Sequence, residues 1–145
     1  MKILVDADAC PVKDIIIKVA KENKLEVIML IDTSHEINDG YSKVITVDKA
    51  RDSVDIALIN ITKPGDIVVT QDYGVAAMAL GRKAGAVNQN GLIYSDENID
   101  KLLFERHLGQ KVRRAGGRTK SIKKRSREDN EKFEEVFRRL VIESL

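Results

Sequence analysis

The chain has 145 residues, with 25 Lys plus Arg against 23 Asp plus Glu, 43% apolar residues, one Cys and no Trp. That length suits one domain able to bury roughly two-thirds of its unfolded surface. The composition excludes collagen, wholesale disorder and a disulfide scaffold, and no apolar run approaches the ~20 residues of a membrane span.

The elements follow in chain order. Ile3-Leu4-Val5 reads as a short buried strand ending at Asp6. Pro11 suits the first turn of a helix that carries Ile15, Ile16, Val19 and Ala20 at helical spacing. Val27 to Ile31 and Val44 to Val47 read as a second and third strand. Asp52 is placed to cap a helix bearing Val54, Ile56, Ala57, Leu58 and Ile61. Pro64-Gly65 is a turn before a fourth strand, Ile67 to Thr70. Val75 to Ala84 reads as a small-residue helix stopped by Gly85. Ala86-Val87 and Leu92 to Tyr94 are short strands, and a helix is expected from Asp96 to about Val112. Ser126 followed by Asp129 resembles a capping box, opening a last helix with Phe133, Val136, Phe137, Leu140 and Val141 on one face. Alternating strands and helices predict a mainly parallel sheet covered on both faces, an α/β/α sandwich. The expected organisation is an α/β domain over 1–112, a basic loop over 113–125, and a helix over 126–145 packed on the same domain.

The net charge of +2 conceals an asymmetry. Residues 1–100 hold 11 bases and 16 acids, and residues 101–145 hold 14 bases and 7 acids. Sorting of this kind points to an anionic partner. A solvated basic face is the plainer explanation. A lone thiol fits a reducing compartment, and Asp6 interrupts the N-terminal apolar run too early for a signal-peptide core. A cytoplasmic protein with no membrane association is expected.

Ligands of parallel sheets collect beyond the carboxyl ends of the strands. Asp6 and Asp8 end the first strand, and their i, i+2 spacing puts both side chains on one side of extended backbone. Asp72 follows the fourth strand, and Asp52 and Asp55 open the helix before it. Each acid alone is ordinary turn or cap chemistry, and Asp52 fits that role best. A cluster of four carboxylates repels itself unless a cation neutralises it, and such donors suit Mg²⁺ or Mn²⁺.

Asp-Ala-Asp-Ala-Cys-Pro-Val-Lys at 6–13, Asp-Ser-Val-Asp at 52–55, Val-Thr-Gln-Asp-Tyr-Gly at 69–74 and Arg-Ala-Gly-Gly-Arg-Thr-Lys at 114–120 resemble the YaiI/YqxD family of small bacterial proteins. That family is placed near PIN-like nucleases. The resemblance implies a three-layer PIN-like fold and Mg²⁺- or Mn²⁺-dependent RNA cleavage. It matches Asp6, Asp55 and Asp72 to the acids of such a site, with Thr70 in a Thr-x-Asp pattern. Asp8 belongs to the narrower family motif. Arg118 stands where the family more often has Pro.

The candidate catalytic and metal-binding set is therefore Asp6, Asp8, Asp55 and Asp72. Candidate substrate contacts are Lys13, Ser53, Thr70, Arg118, Lys120, Lys123, Lys124 and Arg125. Lys13 serves equally as a plain surface Lys, and Ser53 as a helix cap. Tyr73 is placed to stack on a base. Cys10 precedes a helix start but has no Arg six positions on for a phosphate loop, so a packed thiol is expected. Three functions compete. The first is a metal-dependent nuclease. The second is a haloacid-dehalogenase-like phosphatase using Asp6 and Asp8. The third is a non-catalytic RNA-binding module.

Overall fold

The computed structural model describes residues 1–50, 52–116 and 124–145. Its core element is a six-stranded sheet of order β3-β2-β1-β4-β5-β6. β1 (Lys2–Asp6), β2 (Glu26–Asp32), β3 (Lys43–Val47), β4 (Ile67–Val69) and β5 (Gly85–Val87) run parallel, and β6 (Ile93–Tyr94) is antiparallel to β5. Val5 lies between Met29 of β2 and Val69 of β4, so the first strand is central. β1, β2 and β4 are continuous apolar runs because both of their faces are covered.

Alternate side chains of those strands feed two cores. Ile3, Val5, Val27, Met29, Ile31, Ile67 and Val69 pack under α1 (Lys13–Glu22) and α5 (Arg127–Ser144). Leu4, Ile28, Leu30, Val68 and Ala86 pack under α2 (Ser53–Ile61), α3 (Tyr73–Gly81) and α4 (Ile99–Arg114). The fold is thus the three-layer α/β/α sandwich expected from the sequence. Among the described residues no helix is long and apolar enough to cross a membrane.

Several boundaries differ from the sequence reading. α1 begins at Lys13, two residues beyond Pro11, with Val12 at the N-cap. Asp52 does occupy the α2 N-cap, but with φ +64° and no side-chain cap hydrogen bond. α3 ends at Gly81 because Lys83 turns the chain left-handed at φ +63°, and Gly85 opens β5 instead of stopping a helix. α4 runs on to Arg114, two residues into the expected basic loop. The Ser126–Asp129 capping box forms, and Phe133, Phe137 and Val141 bury the inner face of α5.

The strand order changes direction between β1 and β4. At such a switch point the crossovers on the two sides leave in opposite directions and open a crevice. The residues that follow β1 and β4 occupy its walls.

Candidate functional site

Asp6 ends β1 and Asp8 follows two residues on, after Ala7 N–H has extended the ladder to the Leu30 carbonyl at 3.0 Å. Both acids line a cleft of about 480 Å³ with Ala9, Gln71, Asp72, Tyr73 and Arg106. An adjoining cleft of about 400 Å³ holds Asp55, Asp52, Met78 and Val75, and shares Asp72 and Arg106 with the first. Asp6, Asp8 and Asp72 therefore share the first cleft and Asp55 lines the second, with Asp72 and Arg106 common to both. Ala9 at φ +57° and Asp52 at φ +64° both hold left-handed backbone beside these clefts. Lys24 and Lys83, the other such residues among those described, merely follow helix ends. Strain retained at a cleft rim is characteristic of functional loops.

Thr70 fixes the arrangement from beneath. Its hydroxyl donates to Asp6 Oδ2 at 3.0 Å and accepts from the Asp72 N–H at 3.0 Å. Its own N–H donates to the Val87 carbonyl, and its carbonyl accepts from the Tyr94 hydroxyl. Asp72 Oδ1 in turn caps α3, accepting from the N–H groups of Gly74 and Val75 at 2.8 and 3.1 Å. Thr70 is 2% exposed, so it positions Asp6 and Asp72 rather than meeting a substrate. Thr70→Val keeps the shape and deletes both contacts. The expected cost is about 1–3 kcal/mol, because two groups lose their partner, read as a lower urea midpoint; Thr70→Ser recovers most of it.

Burial raises the Asp6 carboxyl above its ordinary range; Thr70 opposes the rise, and Asp8 and Asp72 add to it. Asp55 is pushed up to about 6, first by burial, then by Asp72, Asp6 and Asp52, against the pull of Arg106. Between about pH 4 and 6 the folded protein keeps a proton on Asp55 that the unfolded chain has released. With divalent ions chelated, the contribution of Asp55 to stability therefore falls as pH rises through that window and levels off above it. Asp55→Asn flattens this part of the profile and raises Tm at pH 7 by about 2–4 °C, as thermal melts in EDTA would register.

A second constellation adjoins the first. Asp32 ends β2, and its Oδ1 accepts from Ser34 N–H at 2.8 Å. His35 Nδ1 stands 2.9 Å from Asp8 Oδ1 and 3.4 Å from Asp32 Oδ1. One ligand atom from each of Asp8, Asp32 and His35 lies within 4.8 Å of the others. Asp8 Oδ1 is buried and accepts no hydrogen bond, the His35 approach lacking hydrogen-bond alignment. Sequence reasoning missed Asp32 and His35, although Asp32 closes its strand as Asp6 does. It also missed Arg106, whose guanidinium lies 3.6 Å from Asp72 Oδ1.

The expected substrate contacts divide. Arg125 is committed internally: its guanidinium donates to Asn130 Oδ1, Asn90 Oδ1 and the Gln89 carbonyl at 2.6–2.8 Å. It ties the start of α5 to the β5–β6 turn. Lys124 is exposed. Arg118, Lys120 and Lys123 lie outside the described residues. Lys13 is half-buried on the first turn of α1, close enough to Cys10 to act on its thiol, and is not among the residues walling either cleft. Ser53 is the first residue of α2 and not its cap. Tyr73 walls the first cleft and meets Tyr94 edge-on at 6.0 Å between ring centroids. Cys10 is buried in the α1 core, and burial pushes its thiol up, as suits a packed residue.

Comparison with known proteins adds family relationships. A family model described as an uncharacterised YaiI/YqxD family matches residues 4–143. The chain is 76% identical over 137 residues to a UPF0178 protein of Ruminiclostridium cellulolyticum, covering 94% of this chain and 90% of that one. It is 58% identical over 134 residues to a UPF0178 protein of Alkaliphilus oremlandii, covering 92% and 86%. It is 52% identical over 144 residues to one of Clostridium acetobutylicum, covering 98% and 97%. No solved structure matches.

Proposed function

Because the chain belongs to the YaiI/YqxD family, whose description carries no activity, we propose a function from the site itself: a divalent-metal-dependent nuclease that hydrolyses phosphodiester bonds in RNA. The observation that carries this reading is the placement of Asp6, Asp8 and Asp72 in one cleft at the switch between β1 and β4, with Asp55 in the cleft that adjoins it through Asp72. Burial first, and the neighbouring carboxylates after it, raise the proton affinity of Asp6 and Asp55. A divalent cation opposes that rise.

The chemistry of the donors suits Mg²⁺ or Mn²⁺. All four donors are hard carboxylate oxygens, and the buried Asp8 Oδ1 lacks a hydrogen-bond donor. When bound, such an ion polarises a phosphoryl oxygen and lowers the pKa of water. The chain's own groups supply the rest. Thr70 locks Asp6 against Asp72. Arg106, at the wall of both clefts, offers a fixed positive charge to a phosphate. Lys124 and the other bases of the 113–127 segment, Arg125 excepted, attract the polyanion through its phosphates. Placement near PIN-like nucleases, implied by the family motifs, agrees with this chemistry.

A haloacid-dehalogenase-like site also wants an acid pair after a later strand, whereas Gly65-Asp66 precedes β4, and Asp66 there pairs with Lys2 Nζ at 2.5 Å and accepts from Lys63 N–H. The deciding experiment incubates the purified chain with labelled single-stranded RNA and with a phosphomonoester, each with Mn²⁺, Mg²⁺ or EDTA. Metal-dependent RNA cleavage is the expected result. RNA bound but uncleaved under every metal replaces the proposal with a binding module, and phosphomonoester turnover alone replaces it with a phosphatase.

A further inference from the structure

α4 is an anomaly among the helices. It has 16 residues and fully buries only Ile99. Leu102 and Leu103 rest partly on the α2–α3 core. On its outer side Phe104, Leu108 and Val112 are 61%, 45% and 43% exposed. Their spacing of four puts them on one stripe, so the helix carries a second apolar face that nothing in the described chain covers. A stripe of three large apolar side chains on an otherwise charged helix marks an interaction surface.

The charge on the same helix states what covers it. Asp96, Glu97, Asp100 and Glu105, against Lys101, make the N-terminal half and its approach acidic. Lys111, Arg113 and Arg114, with no acid among residues 106–116, make the C-terminal half basic. A face that is apolar along its centre and opposite in sign at its two ends is complementary to itself turned end for end. A parallel arrangement would stack like charges. We infer that a second copy of this chain packs antiparallel on α4, about a two-fold axis near Leu108. Phe104 then meets Val112 of the partner subunit, and each acidic half lies along a basic half. This is the isologous geometry of a closed dimer. Asp100 and Arg114 lie close to four turns apart and so share one flank of the stripe, with Lys111 between them. The dimer also clamps the helix that carries Arg106, and so holds that guanidinium at the cleft.

Sedimentation velocity on the full chain, over about 1 to about 500 µM, reads the monomer–dimer equilibrium directly. The wild type is expected to dimerise within that range. Leu108→Glu, at a site exposed in the single copy, is expected to weaken dimerisation at least about tenfold, with unchanged far-UV circular dichroism. Asp100→Lys alone and Lys111→Glu/Arg114→Glu together each weaken it, and the three combined restore it. A wild type monomeric throughout overturns the inference, as does a dimer indifferent to Leu108→Glu. Failure of the combined charge reversal to restore association overturns the antiparallel arrangement. None of these readings depends on nuclease activity, so the two proposals fail separately.

Discussion

Asp72→Asn and Asp6→Asn each lower Mn²⁺-dependent RNA cleavage at least about 100-fold and leave the fold intact. The two halves of that expectation have different causes. Each substitution removes a negative oxygen from the set that would hold the ion, and neighbouring carboxylates cannot replace it from their own positions. The fold survives because the amide keeps the structural contacts. An Asn at position 72 still offers a carbonyl oxygen to the Gly74 and Val75 N–H groups, and Asn is as good an N-cap as Asp. An Asn at position 6 still accepts from the Thr70 hydroxyl. Loss of one charge from the repelling cluster moreover favours the ion-free fold. Initial rates at saturating Mn²⁺, paired with thermal melts in EDTA, separate the two effects. Wild-type rates in either variant would remove that carboxylate from the proposed site. Loss of rate together with a collapsed melt would trace the defect to folding.

Much of this arrangement was legible in the sequence because it depends on local signals. Short β-branched runs with an Asp at or just after their ends mark β1 and β4, and alternating helices bring those ends to one side of a parallel sheet. That logic located Asp6, Asp8, Asp55 and Asp72. It could not locate Arg106, because the approach of α4 to Asp72 depends on how Leu102 and Leu103 seat against α3, which no periodicity records. It misread Arg125 for a related reason. A basic run reads as solvated or phosphate-binding, whereas three acceptors from Gln89, Asn90 and Asn130 converge on this guanidinium only once the β5–β6 turn is formed. Thr70 and Ser53 show the limit of motif reasoning at single residues. A Thr-x-Asp pattern names the right residue, but only the strand register shows that its hydroxyl faces Asp6. Asp52 occupies the cap position that its residue type predicts, but its backbone is left-handed and its side chain makes no cap hydrogen bond.

Phe137→Ala is expected to cost about 3–5 kcal/mol, a large part of the ~5–15 kcal/mol that holds a domain of this size together. Phe137 is fully buried, and its ring stacks on Phe133 with centroids 5.2 Å apart. The two rings fill the space between α5, α1 and the sheet face built by Ile3, Val5 and Ile67. A cavity there cannot close by moving β1, which is paired on both sides. Collapse would instead have to shift α5, against the Arg125 contacts at its start and the Arg138 pairs with Glu22 and Glu134. Those ion pairs are exposed and contribute little on their own, so the rings carry the docking. Phe137→Leu, which refills most of the volume, loses less than half as much. Ile142→Ala, on the open side of the same helix, stays within about 0.5 kcal/mol. Urea titrations followed by circular dichroism across the series test the ranking. If Phe137→Ala costs less than about 1 kcal/mol, α5 is not part of the cooperative unit.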